Sequence, residues 1–100
     1  MLFAFSIAPA TTDDPDASVS AAVADAVRVV QDSGLRYELT SMFTTIEGEW
    51  DEVMPVIQAA CEAVAEHSPR VSLVLKADLR PGHTGQLTSK VDRVQELLDE

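Results

Sequence analysis

The chain has 100 residues, 17 of them Asp or Glu and 7 Lys or Arg, for a formal net charge of -10. That length makes one domain with a modest core. The acid excess excludes nucleic acid and anionic membrane as partners, because both require clustered Lys and Arg. A single cysteine, Cys61, excludes an intrachain disulfide and fits a reducing compartment. No apolar run reaches the length of a membrane span. The N-terminus, Met1 to Ala10, ends in small residues but lacks the basic start of a signal peptide. It reads as a strand, and the expected location is cytoplasmic.

The first strand is expected over Leu2 to Ala8. Phe3, Phe5 and Ile7 share one bulky face; Ala4, Ser6 and Ala8 share a small one that suits close approach by a ligand or another sheet. Pro9 to Asp16 reads as a turn-rich loop. Its Asp13, Asp14 and Asp16 lack the Gly and distant Glu of a calcium loop. A helix from Ala17 or Ser18 to Ser33 follows, with Val19, Ala22, Val23, Ala26, Val27 and Val30 as its buried stripe. Gly34 stops it.

Two strands with a tight reversal come next, Arg36 to Ser41 and Met42 to Gly48. Tyr37, Leu39 and Ser41 alternate with Arg36, Glu38 and Thr40; Met42, Thr44 and Ile46 alternate with Phe43, Thr45 and Glu47. Asp51 reads as the N-cap of a second helix reaching His67, with Trp50 stapling its entry. Val53, Ile57, Ala60 and Val64 form its stripe, and Pro55 lies near the start, where a missing N–H is tolerated. Val71 to Leu79 is a fourth strand. After the turn-rich Arg80 to Gly85, Leu87, Val91, Val94 and Leu98 stripe a last helix, with Thr88 as its cap. The order describes an α+β, ferredoxin-like βαββαβ sandwich: a four-stranded antiparallel sheet with two helices on one face, plus a C-terminal helix. The uncovered sheet face invites dimerisation.

Cys61, His67 and His83 match no zinc spacing, so no metal is expected. No nucleophile elbow or phosphate-binding glycine loop is present. Cys61 has no Lys or Arg within a helical turn to activate it, and His67 reads as a helix C-terminal residue suited to the dipole. The second and third strands hold the densest set of polar side chains. Glu38 and Glu47 could offset a cationic heterocycle, Ser6, Thr40, Thr44 and Thr45 could hydrogen-bond it, and Tyr37, Phe43 or Trp50 could stack on it.

Gly34-Leu35-Arg36-Tyr37-Glu38-Leu39-Thr40, Met42, Thr44, and Ile46-Glu47-Gly48-Glu49-Trp50-Asp51-Glu52-Val53 together resemble the small thiamine-binding protein family once described as a domain of unknown function. Phe5-Ser6 with Pro9, Arg70-Val71, Lys76, Asp78, Arg80, Lys90-Val91 and Val94 extend the likeness along nearly the whole chain. The resemblance implies subunits paired through their sheets, often as a dimer of dimers. It also implies binding of thiamine or its hydroxymethylpyrimidine portion without catalysis or cofactor. Phe43 and Cys61 depart from the pattern, standing where glycine and histidine are expected.

The expected ligand-lining set is Ser6, Glu38, Thr40, Thr44, Glu47 and Trp50, with Glu47 as charge partner. Two other readings stay open on the residues alone. One is an interaction module whose sheet face only assembles; the other is a small enzyme using His83 or Glu47 as base.

Overall fold

The structure, a computed structural model, describes residues 1–10 and 20–100. The loop expected after the first strand, with its three aspartates, and the expected start of the first helix lie outside the described residues. Seven elements follow one another: β1 (Leu2–Pro9), α1 (Ser20–Asp32), β2 (Arg36–Leu39), β3 (Thr44–Glu47), α2 (Trp50–Ala65), β4 (Val71–Asp78) and α3 (Gln86–Leu98). The strands form one antiparallel sheet in the order β2-β3-β1-β4. This is the ferredoxin-like α+β sandwich expected from the element order.

Strand alternation sorts the side chains. Phe3 lies opposite Ile46 and Ala77, and Phe5 opposite Thr44 and Leu75, so these share the helix-facing side. Phe3, Phe5, Ile7 and Ile46 are buried there against Ala22, Ala26 and Val30 of α1 and Val53, Ile57, Ala60 and Val64 of α2. The two helix stripes read from three-and-four spacing therefore meet one sheet face. Leu2, Ala4, Ser6 and Ala8 of β1 face the other way, with Thr45 and Glu47 of β3 and Ser72, Val74, Lys76 and Asp78 of β4. No described helix packs across that open face along its length.

Pairing of β1 is lopsided. It pairs with β4 from Leu2 to Pro9, but with β3 only from Leu2 to Phe5. Beyond Phe5 its β3-side edge has no strand neighbour among the described residues. The β2–β3 reversal explains this. Both strands are shorter than expected, and Thr40 to Phe43 forms the turn instead. The Thr40 N–H donates to the Phe43 carbonyl at 3.0 Å, and the Thr40 hydroxyl donates to the same carbonyl at 2.8 Å. The chain leaves the sheet there, four residues before β1 ends on that side.

Helix ends correct two expectations. The N-cap of α2 is Glu49, not Asp51, and Trp50 is the first helical residue. The Glu52 carboxylate accepts the Glu49 N–H at 3.0 Å, one half of a capping box. Trp50 then lies over Phe3, ring centroids 5.8 Å apart, and closes that end of the core. For α3 the N-cap is Gly85 at φ 69°, not Thr88. His67, just past α2, reaches Asp25 of α1 at 2.7 Å and ties the two helices. This bond holds the Asp25 carboxyl below its ordinary value. Its contribution is present above that ordinary value and is lost as pH falls through the lowered one.

Gly34 stops α1 at φ 77°, a left-handed turn that a side chain would strain. Gly48 is needed for space. A Cβ there would stand 2.8 Å from Val53 Cγ2, where β3 hands over to α2. Gly48→Ala is expected to destabilise the protein by about 1–3 kcal/mol through overpacking. In a Val53→Ala background the same change should cost less than half as much, because the clashing methyl is gone. Urea denaturation of the four chains measures both.

Candidate functional site

The two hydroxylated and acidic strands do not build one pocket. Thr44 and Glu47 are three residues apart, so alternation turns them to opposite sides of the sheet. Thr44 faces the helices and Glu47 the open side. The structure brings together Ser6, Thr40 and Thr44, and separates them from Glu38, Glu47 and Trp50.

The first group lines a pocket of about 220 Å³ at the end where β1 outruns β3. Its walls are the β1 edge from Phe5 to Ala8, the Leu39–Thr44 turn, and Val23, Ala26 and Val27 of α1. Every second residue of an antiparallel strand turns its N–H and C=O toward the same neighbour. The unpaired β1 edge therefore offers backbone donors and acceptors along this pocket. Thr44 is only 6% exposed, and its hydroxyl bonds to no described residue. The Thr40 hydroxyl is committed to the turn. Ser41, Met42 and half-buried Phe43 complete the rim. Ser41 and Met42, read as strand ends, are turn residues. Phe43 stands at the position where glycine is expected.

Glu47 sits elsewhere. It lines a pocket of about 450 Å³ with Met1, Arg36, Glu49, Glu52, His83 and Thr84. Its Oε2 accepts the Gln86 N–H at 2.9 Å, the first free donor of α3. A carboxylate at a helix N-terminus also gains from the dipole. Its Oε1 is buried and, among the described residues, unpartnered. A second tether holds α3: Lys90 Nζ lies 2.6 Å from the Asp78 carboxylate and keeps that carboxyl below its ordinary range. The sequence reading missed both tethers. Residues 39 and 12 positions apart meet through the fold, and no periodicity signals them.

Glu38 is exposed on β2 and lines a shallow depression with Tyr37, Leu87 and Thr88. Trp50 lines none of the described pockets. Burial pushes the Cys61 thiol up, away from reactivity. No described helix is long and apolar enough to cross a membrane.

The geometry is that of a small α+β sandwich with a ring-sized, hydroxyl-lined pocket beside an open strand edge. Comparison with known proteins gives this class a family. Residues 3–95 match the model of the thiamine-binding protein family. The chain is 48% identical over 99 residues to a UPF0045 protein of Mycobacterium bovis, covering 98% of this chain and 94% of that one. It is 41% identical over 81 residues to a UPF0045 protein of Methanothermobacter thermautotrophicus, covering 79% and 82%. A solved hypothetical protein from Methanocaldococcus jannaschii superposes with a TM-score of 0.82 at 28% identity, covering 95% of each chain. A Thermotoga maritima protein named for thiamine biosynthesis/salvage shares the fold, at 22% identity and TM-score 0.75, covering 92% of this chain and 97% of that one. The chain belongs to the thiamine-binding protein family.

Glu47→Ala removes the anchor of the α3 first turn. Hydrogen exchange at Gln86 to Ser89 is expected to quicken by about tenfold, the effect of one lost charged hydrogen bond. Exchange at Phe3 and Ile46 should not change.

Proposed function

We propose that this protein binds thiamine, or its hydroxymethylpyrimidine portion, in the pocket between β1, the Thr40–Phe43 turn and α1, and performs no chemistry on it. The observation that carries this reading is the family match, combined with a pocket sized and lined for one heteroaromatic ring. At about 220 Å³ the pocket is smaller than the 300–1,000 Å³ of drug-sized sites. One ring enters and the rest of the ligand stays at the mouth.

An aminopyrimidine presents an amino donor beside a ring-nitrogen acceptor. The free β1 backbone edge presents the complementary pair. The Thr44 hydroxyl supplies a further partner and Ser6 borders the pocket through its place on the β1 edge; Ile7, Val23, Val27 and Phe43 bound the ring faces. The thiazolium outside meets the field of a chain with net charge -10. Among the described residues, the lining contains hydroxyls but no carboxylate, His, Cys or Lys to act as a base, which favours binding over catalysis. Self-association through the open sheet face and a cytoplasmic location belong to the same reading.

A second placement has one observation in its favour. The buried, unpartnered Glu47 Oε1 borders a larger acidic pocket with Glu49 and Glu52, where a cationic ring could sit.

Isothermal titration with thiamine separates the two. Saturable binding is expected, weakened about five- to tenfold by Thr44→Val, the loss of one buried hydrogen bond. Glu47→Gln should leave affinity within about twofold, the scatter of such a comparison. The opposite pattern favours the acidic pocket. No heat at millimolar thiamine contradicts both placements.

A further inference from the structure

After β4 the chain reverses over Arg80-Pro81-Gly82-His83. The His83 N–H donates to the Arg80 carbonyl at 3.2 Å, and Gly82 takes φ 80° behind Pro81, the pattern of a type II turn. The turn brings His83 back toward Arg80 ahead of α3. On α3, Lys90, Arg93, Val94 and Leu97 recur at three-and-four spacing and share one face. Turn and helix face line a groove of about 520 Å³, which shares no residue with the pocket beside β1.

Charge singles out this groove. Among the described residues its lining holds Arg80, Lys90, Arg93 and His83 and no Asp or Glu. Residues 80–93 carry Arg80, Lys90 and Arg93 against Asp92, a charge of +2. The remaining four Lys and Arg and sixteen Asp and Glu leave the rest of the chain at -12. The local field acts on a neighbour. The Asp78 carboxyl is held below its ordinary range by its bond to Lys90, and further by the charges of Arg80 and Lys76. That carboxylate engages Lys90 Nζ at 2.6 Å and fixes α3 beside the end of β4. The Arg80 and Arg93 guanidiniums form no ion pair with any described residue. Lys90 and Arg93, one turn apart, repel each other until an anion lies between them.

Chemistry selects the anion. A guanidinium fork places two N–H donors on two oxygens of one phosphate. A phosphate ester carries a charge close to -2 at pH 7, which matches the patch. The groove falls within the roughly 300–1,000 Å³ of small-molecule sites, more room than inorganic phosphate fills. Val94 and Leu97, 56% and 67% exposed, continue its wall beyond the cations and offer an apolar surface to the rest of a ligand. An extended polyanion fits badly. Past one Debye length, roughly 10 Å, it meets the field of the acidic body.

We propose that the groove between the Arg80–His83 turn and α3 binds a small organic phosphate monoester, its phosphate held by Arg80, His83 and Arg93 and its apolar part laid on Val94 and Leu97. The site is separate from the thiamine pocket of the preceding reading and does not depend on it.

The test titrates phenyl phosphate into the isotope-labelled full chain at low salt and follows amide shifts. Saturable shifts are expected at Arg80, Gly82 to Gly85 and Lys90 to Leu97. Inorganic phosphate should bind about tenfold more weakly, for want of the ring, and phenol should give no saturable shift. Arg80→Gln with Arg93→Gln should weaken phenyl phosphate about tenfold, with far-UV helix content and thiamine affinity unchanged. Thr44→Val should weaken thiamine alone, so either site can fail without the other. No saturable shift at about 10 mM phenyl phosphate overturns the proposal, as does undiminished affinity in the double variant. Equal affinity for inorganic phosphate overturns the organic-ester assignment. Sedimentation with phosphatidic acid vesicles that the double variant abolishes would give the groove to a lipid headgroup instead; the wild-type chain is expected to stay in the supernatant.

Discussion

Strand β1 has a partner along its whole length on one side and along only half of it on the other. The missing half-ladder follows from the turn at Thr40–Phe43, where one threonine closes the reversal with both its backbone and its hydroxyl. Had β2 and β3 continued to the expected Ser41 and Met42, the β1 edge would be paired as far as Ile7. The pocket would then be filled by strand. The open edge, the half-enclosed space and the position of Thr44 at its floor are one consequence of one early turn.

The same sheet separates two tasks by parity. Residues at even steps from Thr44 belong to the helix side and the ring-sized pocket. Residues at odd steps belong to the open side, where Glu47 spends one carboxylate oxygen on the first turn of α3. A carboxylate in that position is better explained by helix anchoring than by ligand recognition. It gains a charge-assisted hydrogen bond, worth about 1.5–3 kcal/mol, and a favourable dipole. The buried second oxygen offsets part of that gain.

Much of the fold was legible because it is written in local periods. Phe3, Phe5 and Ile7 alternate, Val53, Ile57, Ala60 and Val64 recur every three or four residues, and Gly34 marks a stop. What failed depends on contacts between distant residues or on substitutions for the usual signals. Glu49 caps α2, though Asp51 is the better capping residue by type, because Glu52 three positions later answers it. Thr88 gave way to Gly85 because Glu47 supplied the cap from another strand. Of the expected ligand-lining set, Ser6, Thr40 and Thr44 border one pocket. Grouping them with Glu47 and Trp50 ignored the odd spacing of 44 and 47, which the sequence did contain. The unpaired edge of β1 was not legible, since pairing length is set by where a turn leaves the sheet.

Family membership and the pocket meet in one experiment. Thiamine titrated into the isotope-labelled protein, followed by amide chemical shifts, reads the ligand's position residue by residue. The expected result is a set of saturable shifts confined to Ser6–Ala8, Leu39–Thr44 and the facing turn of α1. Shifts centred instead on Glu47 to Glu52 and His83 to Gly85, or no saturable shift at all, would contradict it.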